Sequence, residues 1–364
     1  MAALHTARLG LRTLLIEKST WPRAKPCGCC VNAAAVDLLT DAAVYPVDHP
    51  NLDPAHALNH IQLHAYNRSI THKLPGSYPI ERSVLDADIV GRAVRFGAEF
   101  MPETTASLPF DLHHPYQPIQ LHGSSTQNLS AAVVISAHGL SHPASEHPAF
   151  RPITNKNSRM GVWGVAPPDA ARIDRNEVYM AASSHGYVGA IVLPDGRVNI
   201  AAAIQPGFIR ECAGPAHAIV KLCDEAGAPL PVADPLAIHY RGTPLLTRNP
   251  HNVAAGRVLA VGDAAGYVEP FTGEGIAWAL ASGRDAAHLA AKTLNNQLPI
   301  EQLATDWIAH HRRSIRRRQR NTRLIASLIR NSSATRAAIA LLAAAPPVTI
   351  HLTKSAARPY HHID

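Results

Sequence analysis

The residues with the most chemical content lie in one string, Gly262-Asp263-Ala264-Ala265-Gly266-Tyr267-Val268-Glu269-Pro270-Phe271-Thr272-Gly273-Glu274-Gly275-Ile276. It follows an apolar run, Arg257 to Val261, that reads as a strand. It precedes an Ala-rich stretch, Ile276 to Leu294, that reads as a helix. Asp263 at the carboxyl end of such a strand stands where ligands bind in open α/β sheets, and its carboxylate can accept hydrogen bonds from sugar or sugar-alcohol hydroxyls. Gly273 and Gly275 leave backbone amides bare at a helix start. That end carries partial positive charge and favours an anion or an electron-rich carbonyl. A lone Gly-Asp would be a plain turn before a helix; the fifteen-residue string carries more.

A second group lies near the start. Ala2 to Leu9 is helix-compatible, Gly10 suits a helix C-cap, and Arg12 to Glu17 reads as a buried strand ending in an acid. In a dinucleotide-binding βαβ unit an acid there bonds ribose hydroxyls, about 20 residues after a glycine fingerprint. Counting back from Glu17 puts that fingerprint just before Met1, so the first strand and its glycine loop are expected to be missing. The plainer alternative for Glu17 is a surface residue at a strand end. Lys18, Arg23 and Lys25 follow, either as solvated loop cations or as added charge for a phosphate.

Stepping outward, 364 residues suffice for two domains, and 46% hydrophobic residues suffice for a sizeable core. No run of about 18 apolar residues suggests a membrane span, and no signal peptide is legible, so a cytoplasmic protein is expected. Five cysteines, three of them at Cys27, Cys29 and Cys30, do not make a disulfide framework, and no second Cys pair completes a zinc site. The adjacent pairs among the 22 histidines (His113-His114, His310-His311, His361-His362) point apart on a helix or strand and read as surface residues. Much of the net charge of +7 sits between His310 and Arg320. Without interleaved aromatics this run does not suggest nucleic acid. A solvated helix face is the first reading, and peripheral contact with an anionic membrane the second.

The middle of the chain offers short strand candidates: Ile61 to Tyr66, Gly161 to Ala166, Glu177 to Ala182, Tyr187 to Leu193 and Arg197 to Ile204, with Asp195-Gly196 as a hairpin signal. These suggest an antiparallel sheet flooring a substrate pocket. Ser83 to Gly97 is a helix candidate whose apolar face is Val84, Leu85, Ile89, Ala93 and Val94; Ala131 to Ser136 is a buried strand. A long helix is expected from Ile300 to Arg330 and a short one from Ala337 to Ala345, stopped by Pro346-Pro347.

Taken together, Glu17-Lys18, Pro22-Arg23-Ala24-Lys25-Pro26-Cys27-Gly28 and the Gly262 to Ile276 string resemble the geranylgeranyl reductase family, within the FAD-dependent oxidoreductases that include para-hydroxybenzoate hydroxylase and the flavin-dependent halogenases. The resemblance runs from about Met1 to Arg330. It implies an α/β protein: a Rossmann-like FAD-binding domain (1–55, 80–150, 250–300), lacking its first strand and glycine loop here. An antiparallel β-sheet substrate domain (56–79, 151–249) and a C-terminal helical segment (300–350) complete it, with 353–364 as a tail.

The resemblance also implies roles. Glu17, with Lys18 and Arg23 beside it, would bind the adenosine ribose region. Arg82 would reach the FAD pyrophosphate. Gly262 and Asp263 would bind the ribityl–pyrophosphate region. Pro270, Gly273, Gly275 and Ile276 would hold the pyrimidine edge of the flavin ring. Cys27 and Gly28 would lie near the flavin on the substrate side, with Cys27 as the candidate catalytic side chain. The substrate would be small and hydrophobic, and NAD(P)H a possible electron donor.

Two departures stand out. His138 in Ser136-Ala137-His138-Gly139 replaces the family's usual Asp, and Tyr187 to Gly196 lacks the Trp-containing motif common in isoprenoid reductases. A flavin-dependent monooxygenase or halogenase, and a scaffold without activity, are therefore carried as alternatives.

Overall fold

The computed structural model describes residues 1–109, 115–123, 126–140, 147–269, 271 and 273–344. Pro270, Thr272, His113, His114, Ala345, Pro346, Pro347, His361, His362 and the tail lie outside the described residues.

Two short parallel pieces carry the loops named above. Leu14–Ile16 pairs in parallel with Glu99–Met101, and Val134–Ser136 pairs in parallel with Val258–Ala260, which Ala254–Ala255 borders antiparallel. Ile16 and Met101 pack into the same apolar cluster as Val134, Ile135 and Leu259, so both pieces lie on one core. Helix α1 (Ala2–Arg8) precedes the first piece, and α2 (Ala33–Asp41) starts at Asn32, whose side chain accepts the Ala35 amide at 3.0 Å. Helix α3 (Arg82–Arg95) leads to Glu99. Its buried residues are Leu85, Ile89 and Ala93; Val84 and Val94, expected on that face, are exposed, because only a stripe three to four residues apart turns inward.

The run expected as one strand from Ala131 to Ser136 is divided. Thr126–Ala131 closes a meander with Thr105–Ser107 and Gln117–His122, and only Val134–Ser136 joins the parallel piece.

The middle of the chain forms an eight-stranded sheet in the order Arg241–Leu245, Met160–Ala166, Val198–Ile204, Gly186–Val192, Glu177–Ser183, Leu58–Ala65, Arg68–Pro79, Cys30–Val31. Every pairing is antiparallel except that of Glu177–Ser183 with Leu58–Ala65. Arg68–Pro79 was not foreseen, since its Arg, Lys, Pro and Gly blur the alternation. Successive side chains of a strand point to opposite faces. Tyr179, Ala181, Val188, Ala190 and Ile200 accordingly pack on one face, against α5 (Pro215–Ala226), which follows the short α4 (Pro206–Glu211). Val178, Met180, Ala182, Tyr187 and Ile191 pack on the other, with Cys29, Tyr267 and Phe271. Burial on both faces explains why these strands are nearly continuous apolar runs.

Helices α6 (Gly275–Leu294) and α7 (Leu303–Ile329) back the parallel pieces, and α8 (Ser332–Ala344) starts earlier than expected. The stripe Leu303, Trp307, His311, Ile315, Gln319, Thr322, Ala326 and Ile329 is buried. His311 corrects the surface reading: it is 2% exposed beside the Trp307 ring, and burial pushes its pKa down to about 3. His310 Nε2 donates to Asp285 Oδ2 at 2.8 Å.

Candidate functional site

The site forms where the loop after Ile16, the segment before α2, the start of α3 and the Gly262 to Ile276 string meet. Glu17 follows its strand directly. Its Oε1 accepts the Ser19 amide at 3.0 Å and its Oε2 accepts Arg23 Nε at 3.0 Å. Glu17 and Arg23 thus pair with each other. The Arg23 guanidinium also lies 5.8 Å from the Trp21 ring centroid.

Asp263 has a different cation. Lys25 Nζ donates to its Oδ2 at 3.3 Å, a contact spanning most of the chain length. Gly262 opens the turn with φ +58, and its amide donates to Ser282 Oγ on α6 at 2.9 Å. Arg82 is the first residue of α3 and forms a bidentate bond with Asp86, Nε at 3.0 Å and Nη2 at 2.8 Å. Burial opposes its charge, but Asp86, Cys27 and Asp263 outweigh burial and hold its pKa above the ordinary arginine value. Arg82, Asp263 and Cys27 therefore share one electrostatic neighbourhood.

His138 completes it. Its Nδ1 lies 2.9 Å from Ser136 Oγ, and its pKa falls to about 4, through burial first, then Arg248 and Lys18, against the pull of Asp263. Where an acid was expected by resemblance, this chain has a neutral imidazole bordered by two cations. His138, Arg248, Asn249, Asp263 and Ala264 line a common cleft. Arg248 was not foreseen; its only signal was a lone cation six residues before the hairpin leading to the Gly-Asp strand.

At the other end of the string, Gly273 has φ +71, a conformation that glycine adopts without strain, and nothing lies within 4 Å of where its Cβ would stand. Gly28 is likewise open. Gly275 and Ile276 begin α6, and the N-cap residue Glu274 makes no side-chain bond to the helix amides. Its carboxylate instead accepts Thr322 Oγ1 of α7 at 3.2 Å. Asn32 Nδ2 reaches the Gly273 carbonyl at 3.4 Å, tying this loop to the start of α2. A helix start without a side-chain cap, preceded by Gly273 facing open space, is a cradle that an added Cβ would fill.

Cys27 lies between the two ends. Its thiol is pushed down to about 6, chiefly by hydrogen bonding from Cys29, against burial, with Arg82 and Lys25 adding to the effect. Burial pushes the Cys30 thiol up to about 12. The segment is fixed by Asn199, which sequence reasoning missed. Its Nδ2 donates to the Cys27 carbonyl at 3.0 Å, while its Oδ1 accepts Trp163 Nε1 at 2.7 Å and the Cys29 thiol at 3.5 Å. Asn199 is 1% exposed in an otherwise apolar strand, and a lone polar residue in such a run was its signal. Beyond Cys27 the wall is aromatic: the Tyr187 and Phe271 rings meet edge to face at 5.1 Å, with Tyr267 in the same cluster.

The loop itself is anchored from below. Glu269, 1% exposed, accepts Arg159 Nη1 at 3.4 Å and Arg330 Nη2 at 2.7 Å, and Gln319 Nε2 donates to the Gly266 carbonyl at 3.0 Å.

The donor set (Lys25, Arg82, Arg248 and Lys18 near one end, bare helix amides at the other) fits an elongated ligand with an anionic middle and an electron-rich head.

No protein-family model matches the chain. It is 23% identical over 320 residues to digeranylgeranylglycerophospholipid reductase 2 of Methanothermobacter thermautotrophicus, covering 81% of this chain and 75% of that protein. It is 25% identical over 318 residues to conditioned medium factor receptor 1 of Dictyostelium discoideum, covering 80% of this chain and 61% of that protein. Among solved structures it is similar to a flavin-dependent brominase (TM-score 0.77, 14% identity, 98% of this chain and 89% of that one). It is also similar to a geranylgeranyl bacteriochlorophyll reductase-like protein of Thermoplasma acidophilum (TM-score 0.70, 17% identity, 97% and 95%). A myxobacterial chondrochloren halogenase, described as FAD-dependent, matches at TM-score 0.70 and 16% identity over 84% of this chain and 75% of that one. The chain therefore has the α/β fold of the FAD-dependent oxidoreductase group that holds flavin-dependent halogenases and geranylgeranyl reductase-like proteins.

Proposed function

We propose that this chain is an FAD-dependent oxidoreductase of the geranylgeranyl-reductase type, acting on a hydrophobic, isoprenoid-like substrate. One observation carries the reading: the cations gathered around Asp263 and the open glycine cradle at the start of α6 lie at the two ends of a single string, Gly262 to Ile276. The similarity to the archaeal reductase supports the substrate class.

In this reading Lys25, Arg82, Arg248 and Lys18 hold the pyrophosphate, and Asp263 the ribityl arm. Glu17, already oriented by Arg23, takes the adenosine ribose. The amides of Gly273, Gly275 and Ile276, with Pro270 of the same sequence string, hold the pyrimidine edge of the ring. When bound, FAD supplies two-electron transfer, with NAD(P)H as a candidate electron donor. The chain's own residues do the positioning. The apolar wall of Tyr187, Tyr267 and Phe271 excludes water from the substrate side. The lowered pKa of Cys27, with Arg82 and Lys25 facing it, favours its thiolate, which would accept a proton there rather than donate one.

The test is reconstitution. Purified protein incubated with FAD and desalted is expected to retain flavin absorbance, to be reduced by NAD(P)H or dithionite, and to reduce double bonds of a geranylgeranyl lipid. Protein that stays colourless at saturating FAD would end this reading. The likeness to the brominase over nearly the whole chain favours an oxygen-using second reading. Oxygen uptake coupled to substrate oxidation or halogenation, without double-bond reduction, would select it.

No helix among the described residues is long and apolar enough to cross a membrane. The exposed face of α7 supports peripheral contact instead. Arg312, Arg313, Arg316, Arg317 and Arg320 are exposed there, with Leu324 70% and Leu328 41% exposed on the following turns. Such a face suits an anionic bilayer. Co-flotation with phosphatidylserine vesicles that persists unchanged when Arg316, Arg317 and Arg320 are changed to Glu would refute this contact.

A further inference from the structure

Beside Cys27 the triad Cys27, Cys29 and Cys30 holds a second thiol, Cys29, that the proposed reaction does not use. Cys27 is half-buried, and Cys29 is 1% exposed directly behind it. The Cys29 amide donates to Cys27 Sγ at 3.3 Å, and the Cys29 thiol lies 3.7 Å from the Cys27 carbonyl and 3.5 Å from Asn199 Oδ1. Cys29 has φ +56, which folds the chain back on itself, and the residue between them is Gly28, around whose Cβ position there is open space. Arg82 and Lys25 face Cys27 and stabilise a thiolate. Cys30 is held in the edge strand by its backbone pairing with Pro79, and burial keeps its thiol protonated, pushed up to about 12. Cys223 is fully buried under the opposite face, within 3.5 Å of the Tyr179 hydroxyl.

We propose that Cys27 and Cys29 form a redox-active dithiol, in which a hydroperoxide oxidises Cys27 and Cys29 closes the disulfide. In the first step the Cys27 thiolate attacks the O–O bond. An S–O bond forms, the O–O bond breaks, and the departing alkoxide takes a proton, giving Cys27 sulfenic acid and an alcohol. In the second, Cys29 sulfur attacks the sulfenic sulfur. The S–S bond forms, and hydroxide leaves with the Cys29 proton as water. The hydroperoxide gains two electrons and the dithiol loses two. Closing the ring withdraws the Cys29 thiol from Asn199 and the negative charge from Arg82, so oxidation would be felt at the cationic cluster. The chemistry needs no flavin, so its failure and the failure of the flavin reading are separate results.

The experiment uses the full chain, reduced, desalted and treated at pH 7 with one equivalent of tert-butyl hydroperoxide. The protein is then denatured, alkylated, digested and mapped by mass spectrometry. The expected product is an internal disulfide joining Cys27 and Cys29, with Cys30, Cys212 and Cys223 alkylated. In Cys29→Ser, dimedone is expected to trap a sulfenic acid on Cys27; in Cys27→Ser, Cys29 should stay reduced. The wild-type map stands without either variant. A Cys27–Cys30 bridge, preferential oxidation of Cys212, or Cys27 left reduced at this dose would each overturn the proposal.

Discussion

Replacing Glu269 with Gln should destabilise the protein more than any change at its surface. Glu269 is 1% exposed and Arg159 0% exposed, so both lie outside the reach of bulk screening. At an effective dielectric constant of about 20, the 3.4 Å contact to Arg159 is worth roughly 5 kcal/mol and the 2.7 Å contact to Arg330 roughly 6 kcal/mol before desolvation. Arg330 is 27% exposed and can turn to water, so most of its share is recovered. Arg159 cannot: it has no exposed surface, and its Nε has no partner already. Gln keeps the shape but leaves a buried cation uncompensated, which costs about 3–5 kcal/mol. The assay is urea unfolding followed by tryptophan fluorescence, with Glu301→Gln, an exposed residue, as the reference change, expected within about 0.5 kcal/mol of wild type. The double change Arg159→Met with Glu269→Leu should recover much of the loss, because it removes the buried charge on both sides. A Glu269→Gln protein within about 1 kcal/mol of wild type would refute the reasoning. It would mean that water reaches Arg159 and that the loop is not anchored by this network.

Four further outcomes are expected. Asp263→Asn leaves the fold intact and weakens FAD binding about 10- to 100-fold in a flavin-fluorescence titration, the value of one charge-assisted hydrogen bond; unchanged affinity would remove Asp263 from the site. Gly273→Val costs about 1–2 kcal/mol of backbone strain at φ +71 and also fills the cradle, so flavin affinity should fall further than stability does. The rate of Cys27 alkylation should rise with pH to a midpoint at about 6, and Arg82→Gln should move that midpoint upward; an unmoved midpoint would deny Arg82 its place beside the thiol. His311, with its pKa lowered to about 3 by burial, contributes no acid penalty above pH 6.5; below that the unfolded chain takes up its proton first. Stability should therefore fall by about 1.4 kcal/mol per pH unit on its account as pH drops from 6.5, and His311→Met should flatten that slope in urea titrations at each pH.

The parts of the site that were legible were those fixed by backbone demands. Gly273 needs a positive φ, Gly275 and Ile276 must begin a helix, Asp263 must end a strand, and these requirements leave their mark within a few consecutive residues. The middle sheet was legible for a similar reason, since burial on both faces leaves long apolar runs such as Gly186–Val192 and Val198–Ile204. What stayed hidden depends on contacts between residues distant in sequence. Lys25 and Asp263 stand 238 positions apart, and no local pattern selects Lys25 over Arg23 as the partner. Asn199 reaches back 172 positions to the Cys27 carbonyl, and Arg159 reaches 110 positions to Glu269. His311 was misread because an adjacent basic run suggests solvent, whereas on a helix neighbouring residues face different directions.

That geometry gives α7 two separable jobs. Every fourth or third residue of its inward stripe is committed to the structure: Trp307 Nε1 donates to the Ala260 carbonyl at 3.0 Å, Gln319 Nε2 to the Gly266 carbonyl, and Thr322 to Glu274. These partners are the strand before Asp263 and the two ends of the loop after it. The inward face therefore sets the position of the cradle, while Arg312, Arg313, Arg316, Arg317 and Arg320 between those residues are exposed. Reversing the charge of Arg316 and Arg317 should change how the protein meets an anionic surface and leave flavin affinity untouched. Gln319→Leu should do the reverse, because it leaves the Gly266 carbonyl without its buried donor, at a cost of about 1–3 kcal/mol concentrated on the loop. A loss of flavin affinity in the arginine variants as large as in Gln319→Leu would show that the two faces are coupled, and that the helix turns or shifts as a unit when its outer charge changes.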